Sequence, residues 1–263
     1  YTPNGGTPPF KKAVADYYLR RFGIELDPTQ ETLALIGSKE GLFNLSQVLV
    51  NPGDYVIIPD PGYPVYRSSG IITGAKIYEM PLLEKNKFMP DLKSIPEEVA
   101  LKTKILWLNY PNNPTGAVAS LEFFKETVEF ARKFHIVVAH DAPYADICYD
   151  GYVAPSILQI PHSKECCIEF NSLSKTYNMA GWRLGMAVGN KDVIRYLHTY
   201  KSQMDSSHFA PILEAGIKAL SGDQEWISER NMIYQTRRDI VIEGLKKAGF
   251  SAEVPPAAIY VWA

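Results

Sequence analysis

The sequence predicts an open α/β sheet in which mostly parallel strands are covered by helices on both faces. Five short apolar runs are nearly continuous rather than alternating, as in strands that are buried on both faces. Helical patterns lie between these runs, and such an alternation is typical of a mostly parallel sheet. The predicted strands are residues 55–58, 105–108, 136–139, 167–170 and 184–188.

Three helices have recognisable boundaries or faces. Thr7 followed by Pro8 predicts a helix start, and this helix runs to about Arg21 and ends at Gly23. A second helix carries an apolar stripe along one face, formed by Leu121, Phe124, Val128 and Ala131. A long polar helix is predicted from about residue 223 to 247, closing at Gly249.

The C-terminal part of the chain predicts the start of a second domain. Pro255 and Pro256 break the chain before an apolar run at 259–262 that is typical of a strand. We therefore divide the chain into a large domain at 1–240 and the beginning of a smaller C-terminal domain at 241–263. Because the chain starts at Tyr1 and ends directly after this run, we expect it to be an internal part of a longer protein.

The composition gives no sign of a nucleic-acid or membrane partner. The formal net charge of the 263 residues is −2 and the isoelectric point is about 6.3. No apolar stretch of about 18 residues is present, the length that a membrane-spanning helix needs. The three cysteines, Cys148, Cys166 and Cys167, are an odd number with an adjacent pair. They therefore do not form a disulfide framework, which favours the reducing cytoplasm.

Lys175 is the most informative residue of the chain. It lies between two serines, Ser172 and Ser174, and an arginine, Arg183, that follows eight positions later. A lysine amine can form an imine with an aldehyde, and serines with an arginine can hold a phosphate, which a guanidinium binds through two donors. Pyridoxal phosphate carries both groups on one ring. Taken singly, Lys175 could be a surface lysine, Arg183 a salt-bridge partner and the serines turn residues.

Two other candidate residues follow predicted strands, as Lys175 does. Asn113, in Asn112–Gly116, follows the 105–108 strand, and Asp141, in His140–Tyr144, follows the 136–139 strand. Ligands bind at the carboxyl ends of strands in such sheets, so these side chains should meet. A carboxylate there can pair with a protonated pyridine nitrogen, and an amide can bond the ring oxygen. Asp141 alone could instead cap a helix, and Asn113 could belong to a bare turn.

Two further segments have weaker signals. Gly37, Ser38 and Lys39 open a helix after an apolar run, and a helix N-terminus favours an anion such as a phosphate. Tyr63 follows the first predicted strand and could stack on a cofactor ring or simply pack within its loop. Tyr144 could donate a hydrogen bond to the ring oxygen.

Arranged by position, these motifs lie at 37–39, 63, 112–116, 140–144 and 172–183. In this order they resemble the class I/II family of pyridoxal-phosphate-dependent aminotransferases. The resemblance implies a three-layer large domain of the pyridoxal-phosphate-dependent transferase type, with a mostly parallel sheet. It implies a homodimer with shared active sites, small-molecule amino acid and 2-oxo acid substrates, and no metal. It also implies that Lys175 is the Schiff-base lysine and moves a proton at the substrate Cα.

The same resemblance implies a role for each remaining motif residue. Asp141 pairs with the pyridine nitrogen, while Asn113 and Tyr144 bond the ring oxygen. Five residues surround the phosphate: Ser38, Lys39, Ser172, Ser174 and Arg183. Tyr63 stacks on the ring, Tyr1 reaches the phosphate of the neighbouring subunit, and Asn113, Tyr63 and Lys39 line the substrate side.

Within the family, residues 169–179 are most similar to the group that moves an amino group from LL-diaminopimelate to 2-oxoglutarate. Aspartate, alanine and methionine aminotransferases share most of the motifs and remain alternatives. The family's arginine for the substrate carboxylate lies beyond the C-terminal run, so it is not among these residues. A lyase or decarboxylase on the same fold, and a regulatory module that binds pyridoxal phosphate, are further alternatives.

Overall fold

A computed structural model describes all residues from 1 to 263, and its strands form one seven-stranded sheet. The strands are β1 Thr32–Leu35, β2 Tyr55–Asp60, β3 Lys76–Pro81, β4 Thr103–Asn109, β5 Val137–Asp141, β6 Cys167–Ser172 and β7 Gly185–Gly189. Across the sheet their order is β1-β7-β6-β5-β4-β2-β3. Only β7 runs against the other strands, since it pairs antiparallel with both β6 and β1. The predicted mostly parallel α/β sheet is therefore confirmed.

The helices cover both faces of this sheet. They are α1 Pro8–Phe22, α2 Ser38–Leu49, α3 Pro64–Ile72, α4 Glu97–Ala100, α5 Leu121–Phe134, α6 Leu173–Thr176, α7 Lys191–Met204, α8 Ala210–Ser221 and α9 Glu225–Lys247. One apolar core contains buried residues of α1, α5 and α8, such as Phe10, Phe124 and Leu213. The core on the other face contains buried residues of α2, α3 and α7, such as Leu45 and Tyr66. The chain thus forms the three predicted layers.

The three predicted helices are confirmed close to their expected boundaries. α1 begins at Pro8 and ends before Gly23, which has the left-handed φ of 69° that a helix-ending glycine adopts readily. In α5 the predicted stripe is buried except for Leu121, which lies in the first turn and is exposed. α9 covers residues 225–247, close to the predicted long polar helix. No helix combines the length and the apolar character that crossing a membrane would need.

The predicted strand at 259–262 is wrong. The only ladder contact near it is one bridge between Cys148 and Ala257, and Ala258 turns the chain with a φ of 65°. The segment packs against the loop after β5 through two main-chain bonds, from Ala258 N to Ile147 O and from Tyr149 N to Pro256 O. Residues 256–258 make these bonds, whereas Ile259 and Trp262 of the predicted strand are exposed and pair with no strand. The division into domains at 1–240 and 241–263 stays a prediction, with α9 continuous across residue 240.

Candidate active site

A cleft of about 250 Å³ lies at the carboxyl ends of β4, β5 and β6. Its position follows from the parallel strands, whose carboxyl ends share one edge of the sheet. The cleft contains ten of the residues that the sequence predicts for the site: Ser38, Lys39, Tyr63, Asn113, Asp141, Tyr144, Ser172, Ser174, Lys175 and Arg183. Leu42, Asn109, Pro143, Ala180 and Tyr260 complete its lining.

Asp141 is the last residue of β5 and is almost fully buried in the cleft wall. The Tyr66 hydroxyl donates to Oδ2 at 2.7 Å, whereas Oδ1 has no hydrogen-bond partner in the protein. Burial raises the pKa of Asp141 to about 6, because desolvation disfavours its charged form. A buried carboxylate oxygen without a partner is costly, so this wall of the cleft suits a ligand that presents a cationic N–H. Asp141 does not cap a helix, so that alternative is excluded.

Lys175 lies directly beyond β6, in the short helix α6. Ser172 ends the strand and caps this helix, since its hydroxyl accepts a hydrogen bond from Ser174 N at 3.1 Å. From α9, the Arg230 guanidinium donates to the carbonyl oxygen of Lys175 at 3.2 Å and also to that of Thr176. The main chain at Lys175 is therefore held by β6 and α9, and Lys175 is part of the cleft lining.

The N-terminus of α2 and Arg183 form one side of the cleft. Gly37 precedes the helix with a φ of 74°, and a Cβ built on it would lie 2.3 Å from Arg183 Nη2. Only glycine lets the guanidinium approach this backbone. Arg183 Nη1 donates to Ala180 O at 2.8 Å rather than to a carboxylate. Main-chain N–H groups of a helix start beside a guanidinium make a site for a phosphate. We refer to Gly37–Lys39 together with Arg183 as the anion cradle.

Tyr63, Tyr144 and Asn113 contribute aromatic rings and an amide to the lining of the cleft. The Lys39 ammonium lies 5.5 Å from the centre of the Tyr63 ring. Asn113 is oriented through its main chain, whose N–H donates to Asn109 Oδ1 at 2.7 Å. The hydroxyls of Tyr144 and Tyr260 are hydrogen-bonded to each other, and burial raises the pKa of Tyr144. These groups offer a ring surface and hydroxyl or amide donors to a planar ligand.

Three residues of the site were missed from sequence. Asn109 ends β4 and its side chain joins Asp141 O to Asn113 N, at 2.7 Å in each case. Asn109 could have been predicted from the sequence, because it is a polar residue at the end of an apolar strand. Tyr66 and Tyr260 gave no local signal, since their partners Asp141 and Tyr144 are 75 and 116 residues away. Tyr1 is fully exposed and does not line the cleft of its own chain, so its predicted role in a neighbouring subunit stays a prediction.

Comparison with known proteins identifies the family of this chain. The family model for aminotransferase class I and II matches residues 1–263. The chain is similar to the LL-diaminopimelate aminotransferases of Moorella thermoacetica, with 52% identity over 263 residues, and of Syntrophobacter fumaroxidans, with 50% over 262. It covers 67% and 68% of those two proteins, and they cover all of it.

Solved structures show the same architecture. The substrate-bound BacF structure from Bacillus subtilis matches all of this chain and 67% of its own, with a TM-score of 0.97 and 39% identity. An aspartate aminotransferase mutant from Thermus thermophilus matches 99% of this chain and 68% of its own, with a TM-score of 0.93 and 31% identity.

Proposed function

Since the chain belongs to the class I and II aminotransferase family, whose members depend on pyridoxal phosphate, we propose that it transfers an amino group from LL-diaminopimelate to 2-oxoglutarate through a Schiff base on Lys175. One observation carries the cofactor assignment. The cleft brings together a lysine amine, the partnerless buried oxygen of Asp141 and the anion cradle. An aldehyde, a pyridinium N–H and a phosphate are the three groups that these features fit.

The bound cofactor supplies an electron sink for breaking the Cα–H bond of the amino acid. Asp141 would keep the ring nitrogen protonated through its free Oδ1. The Lys175 amine would hold the cofactor through its aldehyde and would move the proton at the substrate Cα. Tyr144 and Asn113 would donate to the ring oxygen, and Tyr63 would stack on the ring. Each proposed role is supported by the chemistry of the side chain and by its presence in the cleft lining.

The phosphate falls to the cradle side of the cleft. Arg183 offers two parallel donors, and Ser38 and Lys39 offer main-chain N–H groups at the start of α2. Ser172 and Ser174 add hydroxyls at the end of β6. Anchoring the phosphate fixes the ring while the substrate changes, so the reacting atoms keep their alignment with Lys175. We also assign Asn113, Tyr63 and Lys39 to the substrate side, an assignment supported by their presence in the lining of the same cleft.

LL-diaminopimelate is the proposed donor because the relatives at about half identity carry that name. The aspartate aminotransferase of solved structure is less similar, at 31% identity. We further propose a homodimer, in which the exposed Tyr1 serves the neighbouring subunit's cleft. The proposed compartment is the cytoplasm, supported by three cysteines that are all free thiols.

The covalent role of Lys175 is tested by borohydride reduction in the presence of pyridoxal phosphate, followed by peptide mass spectrometry. Borohydride converts a C=N bond into a stable amine, so the label should appear on Lys175. In Lys175→Ala the label and turnover should both be lost. Lys125→Ala, on the exposed face of α5, is the matched control and should keep both. A label on another lysine in the wild-type protein would overturn the assignment.

The donor and the reaction type are tested together by mixing the protein with one amino acid and 2-oxoglutarate. LL-diaminopimelate should give glutamate, measured with glutamate dehydrogenase. Glutamate formed faster from aspartate, alanine or methionine would keep the aminotransferase and replace the donor. Consumption of the amino acid without glutamate would indicate a lyase or decarboxylase instead.

A further inference from the structure

A buried lysine lies directly behind the anion cradle. Lys201 is in the last turn of α7, and its side chain is 1% exposed. Its ammonium pairs with two carboxylates, Glu40 at 3.2 Å and Asp205 at 2.6 Å. Two carboxylates around one buried ammonium leave this group one negative charge in excess. We refer to Lys201, Glu40 and Asp205 as the ion triad; none of its members lines the cleft.

Glu40 joins the ion triad to the cradle. It is the third residue of α2, two positions after Ser38. Its Oε2 accepts a hydrogen bond from Ile36 N at 2.6 Å, and its Oε1 accepts one from Asn44 Nδ2 at 3.0 Å. The first of these bonds fixes the backbone that leads into Gly37, much as a glutamate at this helix position reaches back in a capping box. The position of the cradle's main-chain N–H groups therefore depends on where Glu40 lies.

His208 makes a second connection from the same side. Its Nε2 lies 3.1 Å from Leu35 O and 3.3 Å from Arg183 O, both acceptors. Burial and then the nearby Lys201 charge lower the pKa of His208, so the ring is neutral and donates from Nε2. Leu35 lies two residues before the cradle segment Gly37–Lys39, and Arg183 is the other part of the cradle. His208 thus bonds to the main chain on both sides of the cradle.

The charge of Glu40 makes its pairing important. A helix N-terminus attracts anions, and a carboxylate in its first turn competes with a phosphate for the same field. Without Lys201 a phosphate at the cradle would lie near a carboxylate whose charge no cation offsets, and repulsion is strong where water is scarce. With Lys201 present, Glu40 can hold the Ile36 N–H with less of that repulsion.

We infer that Lys201 is a positioning residue for the cofactor phosphate: it neutralises Glu40 and holds it against Ile36, so that the start of α2 stays open to an anion. This rests on the proposed use of pyridoxal phosphate. The role concerns the phosphate alone, because the contacts of the ion triad reach the cradle and not Asp141 or Lys175.

Lys201→Met tests the inference through three affinities, for pyridoxal phosphate, for pyridoxal and for inorganic phosphate. The first two are measured by absorbance titration and the third by calorimetry. We expect the affinity for pyridoxal phosphate to fall about tenfold or more, equivalent to about 1.4 kcal/mol. Inorganic phosphate should weaken in parallel, while pyridoxal, which lacks the phosphate, should change less than about twofold. Equal losses for pyridoxal and its phosphate, or no loss, would overturn the inference.

Two further variants separate charge from folding. Glu40→Gln keeps the shape of the side chain, removes the negative charge and should bind pyridoxal phosphate as well as or better than the wild type. Glu40→Gln combined with Lys201→Met should recover most of the affinity that Lys201→Met loses. If Glu40→Gln weakens the phosphate ligands selectively, the charge argument is wrong. If the wild-type protein forms no reducible bond with pyridoxal or with pyridoxal phosphate, the proposed function fails. The affinity for inorganic phosphate then still tests the role of Lys201 at the cradle.

Discussion

Asp141 shows how a single side chain can be unfavourable for the ligand-free fold and useful to the site. Its carboxyl group is buried, one oxygen has no partner, and its pKa is raised to about 6. In the unfolded chain the same group ionises near its ordinary value of 3.8. The folded protein therefore holds a proton that the unfolded chain releases, and this difference costs stability once the pH passes that range.

We predict that Asp141→Asn stabilises the ligand-free protein at pH 8 but not at pH 4. The penalty grows as the pH rises from the unfolded pKa of 3.8 to the folded pKa of about 6 and stays constant above, reaching about 3 kcal/mol. Urea unfolding at the two pH values measures it. Asp16→Asn, at an exposed position of α1, serves as the control and should show no such pH-dependent gain. An equal effect of Asp141→Asn at both pH values would contradict the assignment.

Individual site residues were predictable where the strand pattern placed them. Asp141 and Lys175 stand out because each polar residue follows a buried strand, and parallel strands bring their ends together. Tyr66 and Tyr260 were not predictable in this way. Tyr66 is on α3, and its hydroxyl reaches Asp141 only because α3 packs on the sheet. Local sequence has no access to such a long-range partner.

Among the elements, the start of α2 has the least tolerance for substitution. Gly37 combines a φ of 74° with a ψ of 152°, a conformation that essentially only glycine adopts, and its missing Cβ makes room for Arg183. Gly23 is also left-handed, with a φ of 69°, but a Cβ there would meet nothing within 4 Å. Comparing alanine substitutions at the two glycines therefore separates the effect of backbone strain from the effect of displacing Arg183.

We predict that Gly37→Ala abolishes measurable phosphate binding and also lowers the melting temperature. Gly23→Ala should cost only about 1–2 kcal/mol, the penalty of a left-handed residue with a Cβ, and should leave ligand affinity unchanged. Calorimetric titration with inorganic phosphate and thermal unfolding provide the two readings. Phosphate binding that survives Gly37→Ala would show that the cradle lies elsewhere.

Whether a strand could be predicted from the sequence depended on how deeply it is buried. β2, β4, β5, β6 and β7 were found because both of their faces are covered, which leaves apolar runs. β3 was missed because it is the edge strand beside β2, and only one of its six residues is buried. β1 is four residues long and was noted only as an apolar run before a helix. The run at 259–262 was wrongly predicted as a strand because its apolar residues are not buried in the sheet: Ile259 and Trp262 are exposed.

At the scale of the whole molecule, one buried carboxylate connects several parts of the chain. Glu169 in β6 accepts hydrogen bonds from Tyr18 of α1, His140 of β5, and Ser156 and Ile157 of the loop between the strands. The other ring nitrogen of His140 lies 3.0 Å from Tyr110 O. Both ring nitrogens of His140 thus lie within hydrogen-bond distance of an oxygen. This network is on the sheet face opposite Asp141's partner Tyr66.

We predict that Glu169→Ala destabilises the protein by about 3–5 kcal/mol, because it leaves the buried histidine and two hydroxyls without their acceptor. Glu126→Ala, on the exposed side of α5, should stay within about 0.5 kcal/mol. Urea denaturation compares the two with the wild type. A small effect of Glu169→Ala would mean that water replaces the carboxylate in this network.

The pairing of β1 with β7 also limits when the sheet can be completed during folding. Thr32–Leu35 finds its only strand partner in Gly185–Val188, about 150 residues further along. During synthesis, β1 must wait until β7, the last of these seven strands in chain order, has emerged. Such distant pairing makes folding slow. Because Gly37 follows β1 and meets Arg183 beside β7, the anion cradle closes in the same late event. A nascent chain would therefore acquire its phosphate affinity only when its sheet is finished.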